Sequence, residues 1–163
     1  MSFFFKIRDL FSSPTNKLEE AGIKEGMVIL DYGCGPGSYS IMAARLVGQS
    51  GKVHSLDIQP LAIKKVENRA KKNNLQNIET ILSNCKTELP DKSIDTVLFY
   101  DTMHSINELD CVLKEFHRIL KSSGLLFVDD HHFDQQEIIS KVDQNDLFIF
   151  NEKHNKTYEF KKK

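Results

Sequence analysis

The sequence predicts an α/β fold with a doubly wound, mostly parallel sheet of seven strands and helices on both faces. Strand-like apolar runs alternate with helix-like segments, as they do when crossover helices join parallel strands. The last two strand-like runs are separated by only five residues, a length that suits an antiparallel hairpin. The predicted strands are 28–31, 53–58, 77–82, 94–100, 125–128, 147–151 and 157–160.

The segments between these strands have the apolar spacing of helices. Residues 38–47 form the first predicted helix, and Pro60 opens the second, since proline suits the first helical position. Residues 109–120 keep helical spacing over three turns, and Gly124 is expected to end that helix. A short helix is predicted around Ile138 and Val142. The organisation is thus one domain over residues 26–163, preceded by an N-terminal helical extension over residues 1–25.

The composition is that of an ordinary globular domain. The 163 residues include 22 Lys and Arg against 23 Asp and Glu, a formal net charge of −1, with 40% hydrophobic residues. No apolar run approaches the ~18 residues that span a bilayer, and the balanced charge offers no basic surface for nucleic acid. Neither a membrane span nor a nucleic-acid partner is expected.

The N-terminus and the cysteines favour a cytoplasmic protein. The start, MSFFFKIRDLF, has an apolar stretch too short and too soon interrupted by charges for a secretory signal. Cys34, Cys85 and Cys111 are odd in number and include no C-x-x-C pair. Reduced thiols are therefore expected.

A glycine-rich turn after the first predicted strand carries the main functional signal. It reads Asp31-Tyr-Gly33-Cys-Gly35-Pro-Gly37 and leads into a helix, so the backbone can approach a ligand at the crevice beyond the strand ends. A dinucleotide fingerprint needs glycine where this chain has Ser38, and the triphosphate-binding G-x-x-x-x-G-K-[ST] loop is missing. A nucleotide-like ligand is indicated, with NAD and ATP disfavoured.

Asp57 ends the second predicted strand, 20 residues after Gly37. A carboxylate at this place can accept hydrogen bonds from both hydroxyls of an adenosine ribose. The alternative is an aspartate that only caps a helix or a turn. The position at a strand end favours the ribose.

Together with two later segments, SNCKTELP and IDTVLFYD, these motifs resemble the class I S-adenosylmethionine-dependent methyltransferases over roughly residues 26 to 163. The resemblance implies a Rossmann-like methyltransferase fold whose last strand is antiparallel, with S-adenosylmethionine as cofactor. It assigns the methionine and ribose part of the cofactor to Asp31 and the turn glycines, the ribose hydroxyls to Asp57, and one adenine face to Ile58. The full cofactor set is Asp31, Gly33, Cys34, Gly35, Gly37, Asp57, Ile58, Asn84, Cys85 and Tyr100.

Asn84 stands where the family usually has an aspartate that accepts from the adenine amino group. The asparagine side-chain oxygen can accept the same bond.

Catalytic candidates lie on the loops after the fourth and fifth predicted strands, which flank the methyl end of the cofactor in this topology. The first loop holds Asp101 and His104, and the second runs from Asp129 to His132. In one interpretation His104 or His131 is a general base that a carboxylate such as Asp129 orients. In a second, Asp101, His104, Asp129 and His131 bind a divalent metal. In a third, Asp130 or His132 only caps the following helix, and the other histidines form hydrogen bonds to loop backbone.

The acceptor is expected to be a small molecule, because no recognition domain is inserted in the sheet and no aromatic-basic stripe for nucleic acid is present. An S-adenosylmethionine-dependent methyltransferase is the leading interpretation. The alternatives are an accessory module that binds the cofactor without catalysis and a nicotinamide-dependent oxidoreductase.

The N-terminal segment carries an apolar helical stripe of Phe3, Ile7, Leu10 and Phe11. Three roles are open for it: packing on the domain or at a homodimer contact, a movable lid over the acceptor pocket, and docking on a membrane surface.

Overall fold

The computed structural model describes residues 14–163, so the apolar stripe of residues 3–11 lies outside the described part. Seven strands form one sheet in the order β3-β2-β1-β4-β5-β7-β6. The strands are β1 (Val28–Tyr32), β2 (Lys52–Asp57), β3 (Ile78–Leu82), β4 (Ile94–Tyr100), β5 (Leu120–Asp129), β6 (Phe148–Lys153) and β7 (Tyr158–Lys162). The helices are α1 (Pro14–Glu20), α2 (Ser38–Val47), α3 (Pro60–Lys72), α4 (Leu109–Ile119) and α5 (Gln135–Asp143), with a 3-10 turn at Met103–Ser105.

The strand directions confirm the predicted fold class. The strands β3, β2, β1, β4 and β5 pair in parallel, whereas β7, the last strand of the chain, is antiparallel to both β5 and β6. The strand order reverses between β1 and β4, and ligands of doubly wound sheets bind in the crevice at such a switch point. No helix within residues 14–163 is long and apolar enough to cross a membrane.

Two apolar cores cover the two faces of the sheet. Neighbouring strand residues point to opposite faces, so Leu30 and Phe99 belong to one core while Ile29 and Leu98 belong to the other. All four side chains are fully buried. Strands buried on both faces read as continuous apolar runs, which is why the sequence reveals them clearly.

Helix α1 is attached to the domain by both apolar and polar contacts. Leu18 is fully buried in the second core. The Glu20 carboxylate accepts hydrogen bonds from the Thr157 hydroxyl at 2.7 Å and from the Lys156 amide at 3.1 Å. Residues 14–20, which belong to the predicted N-terminal extension, therefore pack on the sheet next to the β6–β7 hairpin.

The prediction that Gly124 ends a helix is wrong. Helix α4 ends at Ile119, and Leu120 already has the extended conformation that begins β5. Gly124 lies inside this strand, where a Cβ would stand 2.8 Å from Leu120 Cδ2 and 3.1 Å from the Ile94 carbonyl oxygen. Close approach at the irregular pairing of β4 with β5 requires the glycine here.

The expectation of three reduced thiols is also wrong, because Cys85 and Cys111 form a disulfide. The bond joins the loop after β3 to helix α4, with 6.2 Å between the two Cα atoms. The tertiary fold brings together two cysteines that are 26 residues apart in the chain. Cys34 is a free, buried thiol, and burial raises its pKa well above the ordinary range.

Candidate cofactor and acceptor site

The turn after β1 depends on glycine at three positions. Gly33, Gly35 and Gly37 have φ angles of +74°, +51° and +84°, in the left-handed region that side chains disfavour. A Cβ on Gly33 would overlap the Thr102 side chain, and one on Gly37 would stand 2.8 Å from Val66 Cγ2. The turn is thus wedged between the loop after β4 and helix α3.

Asp57 holds this turn from the end of β2. One carboxylate oxygen accepts from the Gly35 amide at 2.9 Å, and the other accepts from the Gln59 amide at 2.9 Å. Asp57 therefore has a structural role in the free protein. Because each carboxylate oxygen of Asp57 has a further lone pair, it can still accept a hydrogen bond from a ribose hydroxyl.

A cavity of about 390 Å³ opens beside the turn, at the carboxyl edge of the sheet. Its volume lies within the range of small-ligand sites. Gly33, Asp57, Ile58 and Asn84, four of the residues predicted for the cofactor, line it. Sequence reasoning did not assign the other lining residues to the cofactor, and these are Tyr32, Leu56, Gln59, Ser83, Asp101, Thr102, Ser105, Ile106, Asn107 and Glu108.

No sequence pattern marks Tyr32 or the loop of residues 101–108 as part of the cavity wall. Tyr32 belongs to an apolar strand, but its hydroxyl donates to the Asn84 carbonyl oxygen at 2.7 Å and so joins two walls of the cavity. The loop becomes a wall because Thr102 packs against Gly33. Only the pairing of β1 with β4 brings these segments together.

Asp31 lies behind the glycine turn rather than on the cavity wall. Its side chain accepts from the Ser40 hydroxyl at 2.6 Å, and Ser55 donates to Ser40 at 2.7 Å. Burial raises the pKa of Asp31 to about 6, against the lowering effect of the Ser40 bonds, and the charge of Asp57 adds to the rise. A cation near the turn would favour its ionised form.

Five other predicted cofactor residues are also absent from the lining of this cavity, namely Cys34, Gly35, Gly37, Cys85 and Tyr100. The two glycines shape the turn, and Cys85 is in the disulfide. Tyr100 is buried in the second core, in edge contact with Tyr39 at 5.0 Å between ring centres. Burial raises the pKa of the Tyr100 hydroxyl well above its ordinary value.

Asp130 organises the loops after β4 and β5. Its fully buried carboxylate accepts from the amide of His104 at 2.9 Å and from that of His132 at 3.1 Å. The Nδ1 atoms of both rings lie at 2.9 and 3.1 Å from the same carboxylate. Burial acts to raise the pKa of Asp130, but these four contacts outweigh it and hold the pKa below the ordinary value.

A second pair joins the same two loops nearer the solvent. His131 Nδ1 contacts the Asp101 carboxylate, and Asp101 itself has the unusual φ angle of +54°. The three imidazoles stack, with ring centres 3.8 Å apart for His104 and His132 and 4.0 Å for His131 and His132. We call Asp101, His104, Asp130, His131 and His132 the histidine cluster.

The structure brings His104 and His131 together as predicted, but it does not bring Asp129 to them. Asp129 forms an ion pair with Lys17 of helix α1 instead. The neighbouring carboxylate, Asp130, takes the orienting position that the sequence interpretation gave to Asp129. Helix α1 carried no sequence signal that would have indicated this ion pair.

A second cavity, of about 610 Å³, adjoins the first and shares Ile106, Asn107 and Glu108 with it. His104 and Phe133 line this second cavity. The histidine cluster therefore borders both spaces, since Asp101 lines the first.

The strand order, the glycine turn and the carboxylate at the end of β2 define an α/β protein built to hold a nucleoside-like cofactor. The family described as "Methyltransferase domain" matches residues 23–162, and the chain belongs to this family of S-adenosylmethionine-dependent methyltransferases. A crystal structure of an S-adenosylmethionine-dependent methyltransferase from Aquifex aeolicus superposes with a TM-score of 0.81 at 26% identity. That match covers 94% of this chain and 89% of the other.

Curated relatives give the same family. Demethylmenaquinone methyltransferase of Geobacillus stearothermophilus is 31% identical over 109 residues, which are 66% of this chain and 47% of that one. The enzyme of the same name from Listeria welshimeri is 32% identical over 123 residues, 75% of this chain and 51% of that one. The chain thus spans about half the length of these relatives. The [4+2]-cyclase SpnF, at 17% identity and a TM-score of 0.74 over 85% of this chain and 57% of that one, shares the fold.

Proposed function

We propose that this protein transfers a methyl group from S-adenosylmethionine to a small-molecule acceptor. The observation that carries the proposal is the 390 Å³ cavity between the glycine turn, Asp57 and the loop that leads to the histidine cluster. This cavity accommodates a nucleoside-sized ligand at the switch point of the sheet. The cluster then lies at one end of it.

The cofactor residues follow from this cavity. Asp57 accepts from the ribose hydroxyls, and Ile58, whose exposed fraction is 64%, covers one face of the adenine. Asn84 accepts from the adenine amino group. The glycine turn borders the methionine part, and the buried carboxylate of Asp31 lies behind that turn.

The histidine cluster serves the acceptor. Methyl transfer from a sulfonium mostly needs two reactants held in line, and a base is required only when the acceptor loses a proton. With Nδ1 directed to Asp130, the other ring nitrogen of His104 is free to accept that proton. The second cavity, which His104 lines, is where the acceptor binds.

The acceptor is a small molecule rather than a nucleic acid, because a net charge of −1 does not favour binding to phosphates. The names of the curated relatives make demethylmenaquinone the first acceptor to test. A homodimer and a cytoplasmic location stay predictions from the sequence.

Calorimetry and a transfer assay test the proposal. The purified chain should bind S-adenosylmethionine and S-adenosylhomocysteine but not NAD. It should then move a labelled methyl group to one member of a panel that contains short-chain demethylmenaquinols, phenols and thiols. Binding of the cofactor with no transfer to any acceptor would favour the accessory module, whereas binding of NAD alone would favour the oxidoreductase.

A further inference from the structure

We propose that Asp101, Asp130, His131 and His132 bind one divalent transition-metal ion at the acceptor end of the cofactor cavity. Each residue offers one ligand atom, and the four atoms lie within 4.8 Å of one another. The use of the ion in methyl transfer rests on the proposed function, whereas its binding does not.

The spacing of the donor atoms is close to what such an ion needs. Zinc takes nitrogen and oxygen ligands at about 2.0–2.2 Å in a tetrahedron, which puts neighbouring ligand atoms roughly 3.4 Å apart. Side-chain movements of about 1 Å close the remaining gap. Two imidazole nitrogens and two carboxylate oxygens suit zinc, iron or manganese.

The surroundings of Asp130 hold its carboxylate in a fixed orientation before any metal ion binds. Its carboxylate is fully buried and oriented by the backbone amides of His104 and His132. The two amides and His104 Nδ1 occupy three of the four lone pairs of the carboxylate, and the fourth, which now faces His132 Nδ1, is the one that the ion takes. Hydrogen bonds to a ligating carboxylate are a regular feature of metal sites, because they fix its orientation. A buried carboxylate with two fixed oxygens is therefore ready to accept an ion.

The charges of the cluster also favour a cation. Among the described ion pairs, Asp101 and Asp130 pair with histidines alone, without lysine or arginine. The cluster thus brings two carboxylates close together, with the imidazole rings of His104 and His132 3.8 Å apart and those of His131 and His132 4.0 Å apart. One divalent ion would neutralise both carboxylates.

The position of Asp101 gives the ion a role in the reaction. Asp101 lines the cofactor cavity, so a bound ion can hold the hydroxyl of an acceptor in the adjoining second cavity and make its proton more acidic. His104, which is not among the four ligands, accepts that proton. Where the acceptor oxygen is the atom that is methylated, it forms a bond to the methyl carbon; in a quinol, the ring carbon next to the deprotonated oxygen forms that bond and later loses its own proton. In both cases the carbon–sulfur bond breaks, and its electron pair stays on sulfur as the neutral thioether.

Metal binding is tested by titrating chelator-treated protein with Zn²⁺ in a calorimeter and with Co²⁺ by visible absorption. We expect one equivalent to bind, with absorption bands typical of low-coordinate cobalt. His132→Ala and Asp101→Asn should weaken binding at least ~10-fold, the lower end of what even supporting residues of metal sites contribute. Circular dichroism verifies the fold of both variants, and Asp101→Asn changes an exposed side chain.

Two control variants locate the ion. His117→Ala removes a histidine of helix α4 that lies outside the histidine cluster, with its ring against Phe148 and the Lys163 carbonyl oxygen. His154→Ala removes the centre of the other group that could hold a metal, Glu152, His154 and Glu159. Both variants should bind Zn²⁺ as the unchanged protein does. Two results overturn the proposal. One is that His154→Ala, and neither variant of the histidine cluster, loses the bound Zn²⁺ ion; the other is that the unchanged protein binds no Zn²⁺.

The affinity for S-adenosylmethionine, measured in His132→Ala, whose side chain does not line the cofactor cavity, separates this proposal from the proposed function. Unchanged cofactor affinity with lost metal binding supports a site that serves the acceptor. A protein that binds Zn²⁺ but no S-adenosylmethionine would refute the proposed function and keep the metal site. Full methyl transfer by metal-free protein would refute the role of the ion in the reaction.

Discussion

The two halves of the carboxyl edge of the sheet are built by different means. We call the loops after β1, β2 and β3 the cofactor half and those after β4 and β5 the acceptor half. The cofactor half is held by backbone groups, such as the left-handed glycines and the Gly35 amide that donates to Asp57. The acceptor half is held by side chains, above all by Asp130, which contacts two histidines.

This difference assigns different tasks to the two halves. A backbone cradle with few side chains can approach a cofactor closely and tolerates little change in shape. A side-chain network offers titratable and ligating groups that can be exchanged without rebuilding the turn. We therefore expect substitutions in the cofactor half to act on cofactor affinity, and substitutions of acceptor-half residues that do not line the cofactor cavity to act on turnover.

The largest expected effect is on turnover in the acceptor half. For an acceptor that loses a proton, His104→Ala should lower the turnover rate by ~10²–10⁴-fold, because a positioned base contributes about that much. Cofactor affinity should stay unchanged, since His104 does not line the cofactor cavity. Steady-state kinetics and calorimetry measure the two quantities, with His117→Ala as the control. A parallel loss of cofactor affinity would contradict the division into halves.

The next effect is on affinity in the cofactor half. Asp57→Ala should weaken S-adenosylmethionine binding by about 1.5–3 kcal/mol, the contribution of hydrogen bonds to a charged group. The variant also loses the bond from the Gly35 amide, so Asp57→Asn, which keeps an acceptor oxygen, should lose less. Calorimetry compares the two. Equal affinity of Asp57→Ala and the unchanged protein, with the fold intact, removes Asp57 from the site.

A smaller effect concerns the stability of the free protein. The pKa of Asp31 is raised from 3.8 to about 6 by burial, so the folded state holds a proton that the unfolded state releases. The stabilisation by that proton is present below pH 4 and lost as the pH rises through 6, on the order of 3 kcal/mol in total. Relative to the unchanged protein, Asp31→Asn should therefore gain stability between pH 4 and pH 7.

Urea unfolding at a series of pH values measures this gain. Asp146→Asn, which changes an exposed carboxylate, is the matched control and should show no such gain. A constant difference between Asp31→Asn and the unchanged protein at all pH values would contradict the buried, partly protonated carboxyl group. S-adenosylmethionine, by favouring the ionised form through its positive charge, should reduce the gain.

The smallest effect is expected from the N-terminus. Removal of residues 1–12 should change cofactor affinity by no more than about twofold, since the described residues that line the cofactor cavity begin at Tyr32. A larger loss would assign these residues to the cofactor half. A loss of turnover alone would favour a lid over the acceptor, whereas a loss of thermal stability would favour packing on the domain.

Sequence reasoning succeeded where the signal is local. The strands are continuous apolar runs. The turn glycines follow β1, and Asp57 ends β2 directly before Ile58, in a spacing that can be read along the chain. It failed at Gly124, because glycine marks both helix ends and places where another segment approaches closely. The approach of the Ile94 carbonyl oxygen to Gly124 identifies this glycine as one of close approach, and that approach is visible only in the tertiary structure.

By itself the sequence determined the fold class, the glycine turn and the carboxylate at the end of β2, because each depends on residues that are near one another in the chain. The tertiary structure decided that Asp130 rather than Asp129 orients the histidines. Asp129 is the last residue of β5 and reaches Lys17, while Asp130 is the first residue beyond the strand and faces the loop after β4. It also paired Cys85 with Cys111. Contacts between distant segments depend on how whole elements pack, and no local pattern encodes them.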